Sequence, residues 1–418
     1  MKARSKVAAV ALSMAAVTAL AACGGGDDAA EGPTTVEYWL WQDDATDTTW
    51  DDLAKDFNAT HDDVQVNLTT IPLEQYQDRL LTAASSGTAA CAARSKDWWL
   101  GQFAPQGILA DLTDQVEAWD GKDDVIDSLW DTGRLPGSDA VYMLPHQYVT
   151  LWLYYNKDRF AEAGLEPPTT QQEFLDAAAA LTDAAAGKYA FDVRGGAGGQ
   201  DQWMAWMFAG GADVVDSAGD VVLDSPEAVA ANERYLSVVT ELDAAPPGSV
   251  TAAFAPVQTN FAAGTTAMMI HHPGSLNAMR EALGDALGVV PIPVGDGAGP
   301  STLTSMSGNV VLESCKDKDA AFEWISWLAT EEPMRTVSTS IQGQLPVLES
   351  VAASEPFSTD PDLQLAVEAA RTAKSWPALP GVAQLAAKEF QTQVQIALQG
   401  QQSSEEMLAK LVTTLEQD

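Results

Sequence analysis

From Val36 onward the chain alternates between two hydrophobic rhythms. Val36-Glu-Tyr-Trp-Leu-Trp41 is a run of strand formers, and Thr46 to Asn58 then carries Trp50, Leu53 and Phe57 at helical spacing. Val64 to Leu68 alternates apolar and polar positions, predicting a second strand, and Leu73 to Ser85 returns to a helical pattern. Ile108 to Leu112 closes the unit. Strands alternating with helices predict an α/β lobe with a largely parallel sheet. Val141 to Tyr155 is strand-rich, but Pro145 in its middle interrupts a central strand and marks a break where the chain could cross between lobes. Thr169 to Ala186 predicts a helix opened by Thr169 or Thr170 and closed by Gly187. Another opens at Ser225, with Pro226 first in the helix, and runs to about Leu242. Thr265 to Ile270, Gly288 to Pro293 and Asn309 to Leu312 predict further strands. Beyond Asp317 the pattern is mostly helical.

The first residues follow a different plan. Lys2, Arg4 and Lys6 precede an apolar run from Val7 to Leu20, and Leu20-Ala21-Ala22 leads into Cys23. The run is too short, and its flanks wrong, for a membrane-spanning helix. It resembles a bacterial lipoprotein signal with Leu-Ala-Ala-Cys as the lipobox, an ordinary secretory signal being the alternative. The resemblance implies that 1–22 is a signal peptide and that Cys23 is lipidated. The mature chain would then be anchored on the extracellular face of the cytoplasmic membrane. Residues 23–35, rich in Gly, Asp and Ala and without apolar periodicity, read as a flexible tether.

At 418 residues the chain exceeds what one core usually supports, so two lobes are expected. A formal charge of −37 repels nucleic acid and anionic lipid, so neither is an expected partner. Cys91 and Cys315 read as small buried hydrophobes with free thiols, although an extracellular setting permits a disulfide. Neither has the spacing of a zinc or redox motif.

Several segments in order then carry a resemblance. Ser85 to Ala89, Lys96 to Leu100 and Gly107 to Leu112 look like one lobe's signature. Tyr154-Tyr-Asn-Lys157, Ala163-Gly-Leu165, Pro167-Pro-Thr169 and Glu173-Phe174 look like the entry to a second, and Phe261 to Met268 and Gly343-Gln-Leu-Pro346 add to them. From about Val36 to Leu411 the chain resembles the extracellular solute-binding proteins of ABC importers, specifically the carbohydrate-binding group that includes maltose-binding proteins. Ala90-Cys91 departs from the family's Pro-Asp. The resemblance implies an α/β, two-lobed periplasmic-binding-protein-like fold with discontinuous lobes and an interlobe ligand cleft that closes as a hinge. It assigns 36–144 with 264–305 to one lobe and 145–263 with 306–418 to the other. The crossings would fall near Leu144-Pro145, Ala263-Gly264 and Ser305-Met306, which sets Cys315 apart from Cys91. It also implies permease subunits as partners, a monomer and no cofactor.

A sugar presents flat C–H faces and a rim of hydroxyls, which call for aromatic rings and for carboxylates, amides, Arg or His. Trp39 and Trp41 share one face of the first strand. Trp41 ends it, ahead of Asp43 and Asp44, at the edge where open α/β sheets bind ligands. Trp98 and Trp99, about 100° apart on a helix start, cannot easily both be core, so Trp98 is assigned to the cleft and Asp97 to a hydroxyl. Arg194 to Trp203 is a Gly-rich loop opening a helix and lacks the ending of a phosphate-binding loop. Its glycines would let a ligand approach while Arg194, Asp201, Gln202 and Trp203 face the cleft. His146 with Gln147, and His272, lie near predicted crossings. A metal would need three or four converging ligands, whereas His271 and His272 point opposite ways on an extended segment, so no metal site is assigned. Gly274 and Ser275 offer helix-start amides, and Gly308, Asn309, Gln344 and Trp376 join by resemblance. Trp206, Trp324 and Trp327 read as core. The expected ligand is a carbohydrate. The alternatives are a polyol, a glycerol phosphate (for which only Lys96 and Arg194 are clear cations), a metal, or substrate of a secreted glycosidase. With 59 acidic residues a carboxylate pair carries no information, and neither a serine elbow nor HExxH is present, so no catalytic residue is assigned.

Overall fold

The computed structural model describes residues 32–41, 47–340 and 344–417. The expected signal peptide, Cys23, most of its tether, and Asp43 and Asp44 lie outside the described residues.

In chain order the strands are β1 (Thr34–Leu40), β2 (Val64–Thr70), β3 (Ala92–Lys96), β4 (Leu144–Thr150) and β5 (Trp152–Asn156). They continue as β6 (Tyr189–Phe191), β7 (Thr266–His271), β8 (Leu287–Val290), β9 (Thr304–Val311) and β10 (Leu345–Pro346). They form two sheets, ordered β10-β4-β9-β3-β1-β2 and β6-β7-β5-β8. The first follows from the alternation read in the sequence. Val36, Tyr38 and Leu40 of β1 are buried, and β1 runs parallel to β2 with Val36 opposite Val66. The intervening helix Thr49–Thr60 buries Trp50, Leu53, Ala54 and Phe57 on one stripe, and Trp50 and Trp324 flank the Tyr38 ring.

The largely parallel sheet expected from the β-α alternation holds only for β2, β1 and β3, because β9 runs antiparallel to both β3 and β4. Pro145 does not break its strand. A register shift between Pro145 and Gln147 absorbs the missing N–H, and β4 runs on to Thr150. The lobe change comes at Leu151, the single residue between β4 and β5.

This changes the expected partition. Strands β7 and β8 pair with β5 in the second sheet, and β9 returns to the first. Residues 264–303 therefore belong with 152–263, and 304–373 with 34–150, while the terminal helices Phe390–Leu398 and Ser404–Leu415 pack on the second lobe. Gly264 is not a crossing. The three crossings lie side by side instead: Thr302 Oγ1 donates to the Leu151 carbonyl (2.7 Å), and Leu303 bridges Lys374. Away from this hinge, Arg280 of the helix Leu276–Leu283 donates to both Asp360 (2.6 and 2.8 Å) and Asp362 (2.6 Å), at the start of a helix packed on β4.

Cys91 and Cys315 are joined by a disulfide, their Cα atoms 4.5 Å apart, against the expectation of free thiols. The reason is the direction of β9. It runs antiparallel to β3 with Val311 opposite Ala92, and the Leu312 N–H donates to the Cys91 carbonyl, so the chain leaving β9 arrives at Cys91 in the same lobe.

Candidate functional site

The end of β3 and the start of the helix Gly199–Ala209 face each other from opposite lobes. On the first lobe Lys96 closes β3, and its Nζ donates to Ser307 Oγ of β9 (3.0 Å). Asp97 follows, buried, with its carboxylate oxygens accepting the Met306 N–H (3.2 Å) and the Trp98 N–H (3.0 Å). Burial pushes its carboxyl up to about 7, opposed chiefly by the Met306 bond and Lys96. Trp98 is half-buried and packs against the cores of both lobes, while Trp99 is buried against Tyr76 and Trp41.

On the second lobe Asp201 sits in the first helical turn, where the helix dipole favours a carboxylate. Burial raises its pKa, and Arg194 of its own lobe and Lys96 of the other oppose that rise. Trp376, just past the third crossing, donates its indole N–H to Asp201 (3.4 Å). His272 accepts the Gly274 N–H at Nδ1 (3.1 Å) and is pushed down to about 4 by burial, then by Arg194 and Lys96. His271 is held well below the ordinary imidazole value by burial and by His272. Both rings therefore stand neutral at pH 7.

One ring in this cluster is absent from the sequence expectations. Phe254 is 39% exposed, its ring 4.6 Å from that of His271 and 5.9 Å from that of His272, with the Arg194 guanidinium at 5.6 Å. It opens the helix Phe254–Ala262, whose apolar stripe is Val257 and Phe261. Phe254 sits one turn before Val257 on that same stripe, so periodicity reads it as core and gave no sign that its ring stays exposed.

The structure thus brings Asp97, Trp98, Arg194, Asp201, His272 and Trp376 together, and adds Lys96, Ser307 and Phe254. It takes several expected residues elsewhere. Trp203 is fully buried in the second lobe, its indole N–H donated to Asn232 Oδ1 (2.8 Å). Gln202 is buried beside it and donates to the Asp192 carbonyl (3.1 Å). On the first lobe Trp41 is only 1% exposed, with Arg94 stacked 4.4 Å away and Lys96 Nζ at 5.1 Å, so it supports the site from beneath. His146 tilts against Trp50 inside the first lobe, where burial holds it down to about 3, and Gln147 is buried next to it. Asn309 is buried and accepts the Tyr38 hydroxyl (2.6 Å). A Cβ at Gly308 would lie 2.5 Å from Met143 Cγ, so that glycine serves strand packing. Ser275 is buried 2.7 Å from His271 Nδ1. Gly274 and Gln344 line a separate cavity of about 180 Å³ beside Arg280 and Asp360.

The Gly-rich loop also differs from its expected role. Gly198 has φ of 77°, and a Cβ on Gly199 would fall 1.7 Å from the Arg194 carbonyl oxygen. The glycines let the loop fold on itself and hold Arg194 over the helix start; they do not open backbone to a ligand. Among the described residues no group of three His, Cys, Asp or Glu side chains is placed to hold a metal ion.

Residues 42–335 match the family model described as bacterial extracellular solute-binding protein. A candidate binding protein of Brucella abortus (strain 2308) is 26% identical over 340 residues, covering 81% of this chain and 82% of that one. An ABC transporter solute-binding protein from Thermotoga lettingae, solved bound with α-D-tagatose, superposes with a TM-score of 0.78 at 24% identity, covering 91% of this chain and 98% of that one. The GacH receptor of Streptomyces glaucescens, solved unliganded and in complex with acarbose, gives 0.77 at 24% identity, covering 92% and 99%. These likenesses share the two-lobed periplasmic-binding-protein fold.

Proposed function

Because the chain belongs to the bacterial extracellular solute-binding proteins, we propose that it captures a sugar or oligosaccharide between its lobes and delivers it to the permease of an ABC importer. One observation carries this reading. Lys96 and Asp97 of one lobe lie within electrostatic range of Asp201 of the other, with the half-buried Trp98 and the exposed Phe254 ring beside them and Trp376 buried behind, bonded to Asp201. Such a site offers hydroxyls both donors and acceptors and offers C–H faces flat rings. Neutral His272 widens that polar rim without adding charge, with the neutral His271 buried behind it. The structurally similar proteins solved with tagatose and acarbose support the same ligand class. Anchoring through Cys23 on the outer face of the membrane is part of the proposal. It rests on Lys2, Arg4 and Lys6, the apolar run and the Leu-Ala-Ala-Cys sequence, and the intact mass of chain extracted from membranes reads it out.

A thermal-shift panel of mono- to pentasaccharides, polyols, glycerol phosphates and zinc tests the ligand class. A ligand at a hundredfold excess over its Kd stabilises the native state by about 2.7 kcal/mol, so a cognate sugar is expected to raise the melting temperature clearly. A shift produced only by a phosphate ester, a polyol or zinc would overturn the carbohydrate reading.

A further inference from the structure

We propose that the bound sugar continues out of the cleft along a groove on the first lobe, so that the ligand class is an oligosaccharide and not a single sugar. The inference rests on the carbohydrate reading above. A cavity of about 430 Å³ has Asp97 and Trp376 at its inner end and Arg134, Ser138 and Asp139 along its wall. A second, of about 410 Å³, shares Arg134 and Asp139 with the first and is lined farther on by Trp130. Each falls within the roughly 300–1,000 Å³ of small-molecule sites, and the two meet at the residues they share.

The groove starts at Asp97 beside the edge of the buried Trp376, passes a charged and hydroxylic stretch, and ends at the Trp130 ring. Trp130 is half-buried against the first lobe's core, which fixes its position. Arg134 is a donor in reserve: its side chain is 35% exposed, and its nearest carboxylate, Asp131 at 3.7 Å, is 88% exposed and so a weak competitor. The wall that carries it is preorganised. Arg134 bridges Val141, the Ser138 N–H donates to the Leu135 carbonyl (3.0 Å), and Gly137 turns the chain with φ of 71°. A sugar unit there would displace solvent without reordering the chain.

The test is calorimetric titration of the intact protein with gluco-, manno- and xylo-oligosaccharides, from mono- to pentasaccharide. Within the series that binds, affinity is expected to rise about tenfold beyond the disaccharide, the gain expected of one added charged hydrogen bond. Arg134→Gln and Asp139→Asn are expected to abolish that gain while leaving disaccharide affinity and the melting temperature unchanged. If a mono- or disaccharide binds as tightly as its longer homologues and neither variant alters binding, the groove is refuted and sugar capture stands. If no sugar binds while another solute stabilises the protein, the carbohydrate reading fails and takes the groove with it.

Discussion

Phe254 is held at the mouth of the cleft by two imidazoles and a guanidinium, yet keeps more than a third of its surface exposed. A ring placed so can stack on a ligand without being part of the core. Phe254→Ala is expected to weaken sugar binding by about 1 kcal/mol and to leave the melting temperature nearly unmoved. Trp203→Ala is expected to do the reverse, costing about 3–5 kcal/mol of stability because a fully buried indole and its bond to Asn232 are lost. Denaturant melts and calorimetric titration of both variants separate the two roles. Asp97 carries a different signature. Its native carboxyl, raised to about 7, holds a proton that the unfolded chain releases near the ordinary value of 3.8. Stability from this group is present below about pH 4 and lost as the pH rises through 7. Asp97→Asn removes the effect, so the variant's melting temperature, taken relative to wild type, is expected to climb between pH 4 and pH 8. A flat difference would contradict the burial of this carboxylate. His271 and His272 act in the opposite sense below pH 6.5, and the subtraction cancels them.

At the scale of elements, β9 matters most. It inserts between β3 and β4, carries Ser307 to Lys96 and Met306 to Asp97, and ends beside Cys91. The disulfide from Cys91 to Cys315 closes a loop that includes the whole second sheet. Replacing both cysteines with serine is expected to lower stability by about 2–4 kcal/mol, read as a lower denaturant midpoint, with sugar affinity retained. Most of the longer strands were legible from alternation or apolar runs, whereas the short β6 and β10 were not, and the segment from Ile108 to Leu112 forms only a bridge at Leu109. The N-caps were legible too, since Thr170 forms a capping box with Glu173 and Ser225 caps the helix that starts at Pro226. Pro145 was misleading because a bulge can hide a proline within a strand, and bulges leave no mark in hydrophobic periodicity.

For the molecule as a whole, the two-lobed α/β class was readable from the rhythm and order of segments, but the distribution of segments between lobes was not. Of the crossings, Leu151 is a single residue between two strands, Leu303 ends the irregular segment before β9, and Lys374 lies between the helices Pro361–Ala370 and Pro380–Gln384, and hydrophobic periodicity marks none of them. The site behaves likewise. Asp97, Trp98, Arg194 and Asp201, assigned to the cleft from strand ends and helix starts, come together between the lobes, as do His272, taken from a predicted crossing, and Trp376, taken from the resemblance. Trp203 and Gln202 satisfied the same local cues, His146 lay at a predicted crossing and Asn309 came from the resemblance, yet all four lie inside a lobe. By itself the sequence determined the elements, the fold class and the kind of chemistry available, since these depend on periodicity and residue type within a few positions. Only the tertiary structure decided which aromatic ring remains exposed, which cysteines meet and which carboxylates face across the cleft. Those outcomes depend on strand direction and packing between residues far apart in the chain.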